Sequence, residues 1–362
     1  MSDIIPELLV ARQGRLGRIT LNRPKAINAL TLGMVRGVRA ALAEWRVDPE
    51  VQTVVIDGAG ERGLCAGGDI RALWEDTRGD GLFARTFWAE EYRMILEITR
   101  YLKPVVAIMD GLVMGGGVGI AGHARHRVVT ERSAIAMPET SIGFTPDVGG
   151  SWLLAHAPGA IGMRLGLTGA RIGAADALFC GLADHFVPSG ALGDLVERLA
   201  EVAPETVLAE FASDLPSGSL QTRPHWIDTA YAGPTMETIL GRLRSDPEAA
   251  EDAAELASKS PLGLKVTLRS IRSAARLPSL AAALEQEFRL ACALHRMPDF
   301  AEGVRAQVID KDRKPSWSPA TLDAITDAQV EAIFQASDHG FSLSPPSAAM
   351  PHENDNRRIP AR

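Results

Sequence analysis

Within the run AMPETSIGFTPDVGGSW, Ala136 to Trp152, two acids stand eight positions apart with no charged residue between them: Glu139 and Asp147. Their neighbours are apolar or Gly and Pro, and no local cation accounts for either. Carboxyls in such surroundings hold their protons more tightly and suit work as general acid, general base or nucleophile. An architectural reading competes: Glu139 closing a turn after Pro138, and Asp147 capping a helix that begins near Gly149.

Two glycine-rich segments upstream favour chemistry. GLCAGGDIRAL (Gly63 to Leu73) follows the β-branched run Val51–Ile56, and VMGGGVGIAG (Val113 to Gly122) follows Val105–Met109 and opens a short helix. Glycines after a strand let backbone approach a ligand, and a helix N-terminus adds unpaired N–H donors. Two such loops on neighbouring strands would aim two N–H groups at one oxygen. That is an oxyanion hole, suited to a thioester carbonyl that becomes anionic during reaction. Neither segment carries a nucleotide-binding fingerprint, and no Gly-x-Ser-x-Gly elbow is present.

The elements around these segments read as an α/β chain. Leu8–Ala11 and Arg18–Leu21 form a strand pair around the Gly14–Gly17 turn. Thr31 caps a helix to about Trp45 with Met34, Val38, Leu42 and Trp45 on one face. Val51–Ile56, Val105–Met109, Arg127–Thr130 and Ser133–Met137 read as strands, and Phe87–Arg100 as a helix whose apolar stripe carries Glu91 beside Ile95 and Ile98. From about Ala191 the pattern turns helical. Ser279 caps a helix with Leu280, Leu284, Phe288 and Ala291 on one stripe, and Asp299 with Glu302 reads as a capping box. The expected division is therefore 1–190 as an α/β core, 191–337 as a helical region and 338–362 as a polar, disordered tail.

At 362 residues and 46% apolar content the chain can bury a large core, and a net charge of −7 speaks against nucleic acid as a partner. Cys65, Cys180 and Cys292 show no metal-ligand spacing, and the N-terminus lacks the pattern of a targeting peptide. A reducing cytoplasm is the expected location. No apolar run approaches the roughly 20 residues of a membrane helix. His123, His126, His156 and His185 are scattered and read as structural or surface groups.

The order of CAGGD, MGGGVG and MPET-x-I-G resembles the crotonase (enoyl-CoA hydratase/isomerase) superfamily, and LNRPKAINAL (Leu21 to Leu30) belongs to the same likeness. The resemblance implies a spiral ββα core and an acyl-CoA thioester site, with coenzyme A entering as part of the substrate and no separate cofactor. Carried over by position, the oxyanion donors would be the N–H groups of Ala66 and Gly116. Gly67, Gly68 and Asp69 would line the substrate site, and Lys25 would meet a CoA phosphate. The position that carries one of the two hydratase glutamates is Gly119 here; Glu139 retains the other, and Asp147 stands where hydratases usually carry glycine.

Within the superfamily, EEY (Glu90 to Tyr92), HRVVTE, PDVGGS, LTGAR and DFAEGVRAQVIDKDRKPSW resemble the 3-hydroxyisobutyryl-CoA hydrolase branch. That likeness implies that Glu91, Gly116, Glu139 and Asp147 line the site, with Glu139 and Asp147 catalytic. Two departures, Ile95 for a common Asn and Thr145 before Pro146, bear on the acyl pocket. Hydration or isomerisation of another acyl-CoA, and a catalytically silent acyl-CoA-binding role, stay open on the sequence, as does homo-oligomerisation through the C-terminal helices.

Overall fold

The computed structural model describes residues 6–215, 217–222, 225–337 and 340–343. Six strands form one sheet in the order β1-β2-β3-β4-β6-β8: Leu8–Gln13, Leu16–Leu21, Thr53–Gly58, Val105–Met109, His126–Val129 and His185–Phe186. Only β1 runs antiparallel to its neighbour. Two short strands, β5 (Leu112–Met114) and β7 (Ala134–Ala136), pair in parallel beside the main sheet. Chain leaving β4 thus enters β5, and chain leaving β6 enters β7, which gives the core its spiral.

The central strands read as continuous apolar runs because both sheet faces are covered. Val54, Ile56, Val105, Ala107 and Met109 face the large core, while Val55, Val106, Ile108 and Val128 face a smaller one. The helices Leu192–Leu199 and Pro204–Phe211 close that second face with Leu195, Leu199, Val207 and Leu208. On the other side, α1 (Leu32–Val47) starts at Thr31, whose hydroxyl accepts the Met34 N–H, and buries the expected stripe of Met34, Val38, Leu42 and Trp45. α2 (Ile70–Asp76) follows the first glycine-rich loop, α3 (Leu82–Thr99) precedes β4, and α4 (Gly116–Ala121) opens at the second glycine-rich loop.

The C-terminal helices Pro261–Ala274, Leu280–His295 and Pro298–Val304 pack Leu264, Leu284, Phe288 and Phe300 into the large core that also holds Ile19 and Ile56. One core therefore runs across the boundary expected near residue 190. No helix among the described residues is long and apolar enough to cross a membrane.

Three local expectations are corrected. Asp147 is not a helix cap: the helix α5 (Gly150–Ala155) is preceded by Gly149 and has no side-chain cap of its own. Asp299 and Glu302 do not form a capping box. The helix starts after Met297, Asp299 accepts the Ser260 hydroxyl and the Ser318 N–H, and Glu302 pairs with Arg305. Within the tail, Phe341 is buried and stacks on Phe288, and the Leu343 N–H bonds to Glu285. The rest of the expected disorder, residues 338–339 and 344–362, lies outside the described residues.

Candidate active site

The two glycine-rich loops lie against each other and open one cavity of about 750 Å³. Its wall includes Gly67, Gly68, Glu91, Gly116, Glu139 and Asp147, so residues from four separate stretches of chain meet there. Apolar lining comes from Ile70, Leu73, Trp88, Phe144 and Phe300. Lys259 and Arg313 from the C-terminal half, with Arg171, bring positive charge to the same wall.

Segment 21–30 braces the first loop. The Arg23 guanidinium pairs with Asp69 at 3.0 Å, and the Asn28 amide donates to Ala59 and Gly63 carbonyls. Main-chain bonds run from Ala66 N–H to Ile27 carbonyl at 2.9 Å, from Leu30 to Gly67, and from Asp69 to Leu30. Ala66 is therefore not an oxyanion donor: its N–H is already taken. Gly68, two residues on, has an N–H with no partner among the described residues. A β-carbon placed on Gly116 would lie 3.1 Å from the Gly68 nitrogen and 2.7 Å from Glu91 Oε1. Gly116 is the first residue of α4, so its own N–H has no acceptor within that helix. Gly68 and Gly116 thus present N–H groups without a partner among the described residues from facing loops. Asp69, held by Arg23, and Lys25, exposed in the turn Pro24–Ala26, are not on the cavity wall.

Glu91 is 2% exposed, and Glu139 and Asp147 are each 6% exposed. α3 carries Glu91 on its apolar side, as its stripe predicts. Glu139 opens a 3-10 turn, Glu139–Ile142, directly after β7 and Pro138. Among the described residues, buried Glu91 Oε1 and Glu139 Oε2 have no hydrogen-bond partner, a costly state that a bound ligand would relieve. Asp147 is different: Tyr92, next to Glu91 on α3, donates its hydroxyl to Asp147 Oδ2 at 2.6 Å.

Burial pushes Asp147 up to about 7, with the Tyr92 hydrogen bond working the other way. Glu91 and Glu139 are held well above the ordinary carboxylate range, first by burial and then by the Asp147 charge. Glu287, wholly buried on the Leu280–His295 helix, is pushed by burial to about 8. Neighbouring acids of this kind influence one another's protons, so Glu91, Glu139 and Asp147 titrate as a coupled group.

A stability consequence follows with a definite sign. The unfolded chain releases these protons near pH 4, whereas the folded chain keeps those of Asp147 and Glu287 to about 7 and about 8. Between those limits the native state binds more protons, so stability falls as pH rises. The expected result is a thermal midpoint that drops from pH 5 to pH 9, with a shallower fall in Asp147→Asn. A midpoint rising over that range would contradict it.

Sequence reasoning missed Gly68 as a donor and did not single out Tyr92 or Glu287. Tyr92 adjoined a suspected acid; Glu287 lies 140 positions beyond Asp147 with no motif to link them. The four histidines are not brought together in the cavity, and His123 instead bonds the Val148 carbonyl at 3.1 Å.

Comparison with known proteins agrees with this architecture. A family model described as enoyl-CoA hydratase/isomerase matches residues 16–334. The mitochondrial 3-hydroxyisobutyryl-CoA hydrolase of Danio rerio is 40% identical, over 92% of this chain and 90% of the relative. A crystal structure titled carnitinyl-CoA dehydratase from Mycobacterium thermoresistibile is 46% identical, with a TM-score of 0.89 over 92% of this chain and 98% of its own. One titled enoyl-CoA hydratase from Rhodobacter sphaeroides is 44% identical, with a TM-score of 0.88 over 94% and 100%. The cytoplasmic expectation is overturned by the mitochondrial hydrolase: cysteine usage reports redox conditions and not an address.

Proposed function

Because the chain belongs to the enoyl-CoA hydratase/isomerase family, we propose that it hydrolyses 3-hydroxyisobutyryl-CoA to 3-hydroxyisobutyrate and free CoA. The observation that carries this reading is a ring of three buried carboxyls, Glu91, Glu139 and Asp147, around two unpartnered N–H groups. At Gly119, where hydratases carry a second glutamate, a β-carbon would lie 2.7 Å from Val148 Cβ and 3.0 Å from Ile95 Cδ1. That position has no room for an acid.

The thioester oxygen sits between the Gly68 and Gly116 N–H groups, which stabilise it as it becomes anionic. Glu139 lies beside this hole, its Oε1 3.0 Å from where a β-carbon on Gly115 would stand. In its ionised form it acts at the carbonyl carbon, removing a proton from attacking water or adding directly to give a mixed anhydride. The reactive microstate has Glu139 ionised and a proton on Asp147, which delivers it to sulfur as the carbon–sulfur bond breaks. In the anhydride route the one water consumed enters afterwards, hydrolysing the anhydride and restoring Glu139. Single turnover in ¹⁸O-water separates the routes, since label appearing in Glu139 itself marks direct attack.

Glu91 recognises the 3-hydroxyl, the polar group of the acyl part, through the Oε1 that lacks a protein partner. Sites built to bind a hydroxyl discriminate strongly against analogues lacking it. Wild-type protein is expected to favour 3-hydroxyisobutyryl-CoA over isobutyryl-CoA by roughly 100-fold or more in kcat/KM. Glu91→Ala should erase most of that preference, and an unchanged ratio would remove Glu91 from this role.

A second reading comes from the dehydratase and hydratase titles of the similar structures. It has Glu139 working alone as acid and base on an enoyl thioester. Thiol release from 3-hydroxyisobutyryl-CoA, measured beside loss of enoyl absorbance from crotonyl-CoA, separates the two.

A further inference from the structure

Asp147 sits at the head of a turn closed locally by one main-chain bond, from the Gly150 N–H to the Asp147 carbonyl at 2.6 Å. Val148 has φ +53°, costly for a β-branched residue, and Gly149 has φ +77°. α5 begins immediately afterwards without a side-chain cap. The missing acceptor arrives from far along the chain. Glu287 takes the Gly149 N–H on Oε2 at 2.7 Å, and on Oε1 it takes the Ser151 N–H at 3.0 Å and the Ser151 hydroxyl at 2.5 Å. Both Glu287 and Ser151 are wholly buried. On the other flank, His123 donates from Nε2 to the Val148 carbonyl, and Tyr92 holds the Asp147 carboxyl itself.

We infer that Glu287 is a positioning residue for the hydrolytic reaction: its carboxyl group clamps the Gly149–Ser151 backbone and so fixes Asp147 against the thioester site. The C-terminal helical region thereby supplies part of the active site without touching substrate, since Glu287 is not on the cavity wall. Two acceptor oxygens on one side chain are required by the count of donors. Two N–H groups and one hydroxyl converge on two oxygens, whereas an amide would turn an N–H of its own toward a donor. Burial of the acid has a cost that a purely structural packing position would avoid with an apolar residue. The inference rests on the hydrolase reading of the site.

The test compares thiol release from 3-hydroxyisobutyryl-CoA by wild type, Glu287→Gln, Asp147→Asn, the double variant and Ser151→Ala, with a thermal melt of each. A displaced catalytic group costs rate and leaves ground-state binding intact. Glu287→Gln is therefore expected to lower kcat about 10- to 100-fold with KM little changed. Because it acts through Asp147, the double variant should be no slower than Asp147→Asn alone. Ser151→Ala removes one of three contacts and should show a smaller loss of kcat in a protein that still folds, as its thermal melt checks. Folded Glu287→Gln with wild-type kcat, or a double variant slower by the full product of the single effects, would overturn the clamp. Should Glu287→Gln fail to fold, Ser151→Ala decides: a kcat equal to wild type overturns the inference. A wild-type protein that releases no thiol would instead sink the hydrolase reading, and with it this role for Glu287.

Discussion

Glu139→Gln is expected to lower kcat for thioester cleavage by about 1,000-fold or more, with KM close to wild type. The substitution keeps the volume of a side chain that is 6% exposed, so the cavity wall and the turn Glu139–Ile142 survive. What disappears is the ability to take a proton from water or to form an acyl bond. Both routes at the carbonyl carbon depend on that ability, which makes the prediction independent of the choice between them. Stability should not suffer, since the variant removes a buried acid whose ionisation the fold resists. Steady-state kinetics and a thermal melt check both halves. Near-normal turnover by folded Glu139→Gln would remove this residue from the chemistry.

Gly116→Ala is the second large effect, and it works by geometry. The new methyl would meet Glu91 Oε1 at 2.7 Å and the Gly68 nitrogen at 3.1 Å. It would thus stand between the two N–H donors, in the space assigned to the thioester oxygen. Losing one oxyanion donor typically costs about 100- to 1,000-fold in kcat, and blocking the hole between both should reach the upper end. Because the contact is with a side-chain carboxyl and a loop, the fold should persist, as circular dichroism would establish. If the alanine variant kept kcat within about threefold of wild type, the oxyanion hole would have to lie elsewhere.

Much of this site could be read from residue order. The acids Glu139 and Asp147 stood out because nothing local explained their charge, and Glu91 because it fell on an apolar stripe. Burial of all three agrees with that logic. Individual hydrogen bonds resisted it. Ala66 and Gly68 lie in the same loop, and only the Ile27 carbonyl, presented by a residue at φ +48°, decides which N–H is free. Segment 21–30 was expected to offer Lys25 to CoA, yet its polar residues Arg23 and Asn28 turn inward to hold the loop. The competing reading of Asp147 as a helix cap fails, since the acceptor for that helix start is Glu287, whose contribution is a long-range contact. The α/β alternation of the first half was legible because each central strand is apolar on both faces. The packing of the C-terminal helices onto the same core was not, because an amphipathic stripe records burial without naming its partner.

The central claim is that this acyl-CoA site breaks the carbon–sulfur bond and does not add water across a double bond. Its most direct test is thiol release by the purified protein from 3-hydroxyisobutyryl-CoA, run beside crotonyl-CoA followed by loss of enoyl absorbance. The expected result is catalytic thiol release with no hydration of crotonyl-CoA. Hydration without thiol release would contradict the account, returning Glu139 to a hydratase role and leaving Asp147 and the crowded Gly119 position without the meaning given to them here.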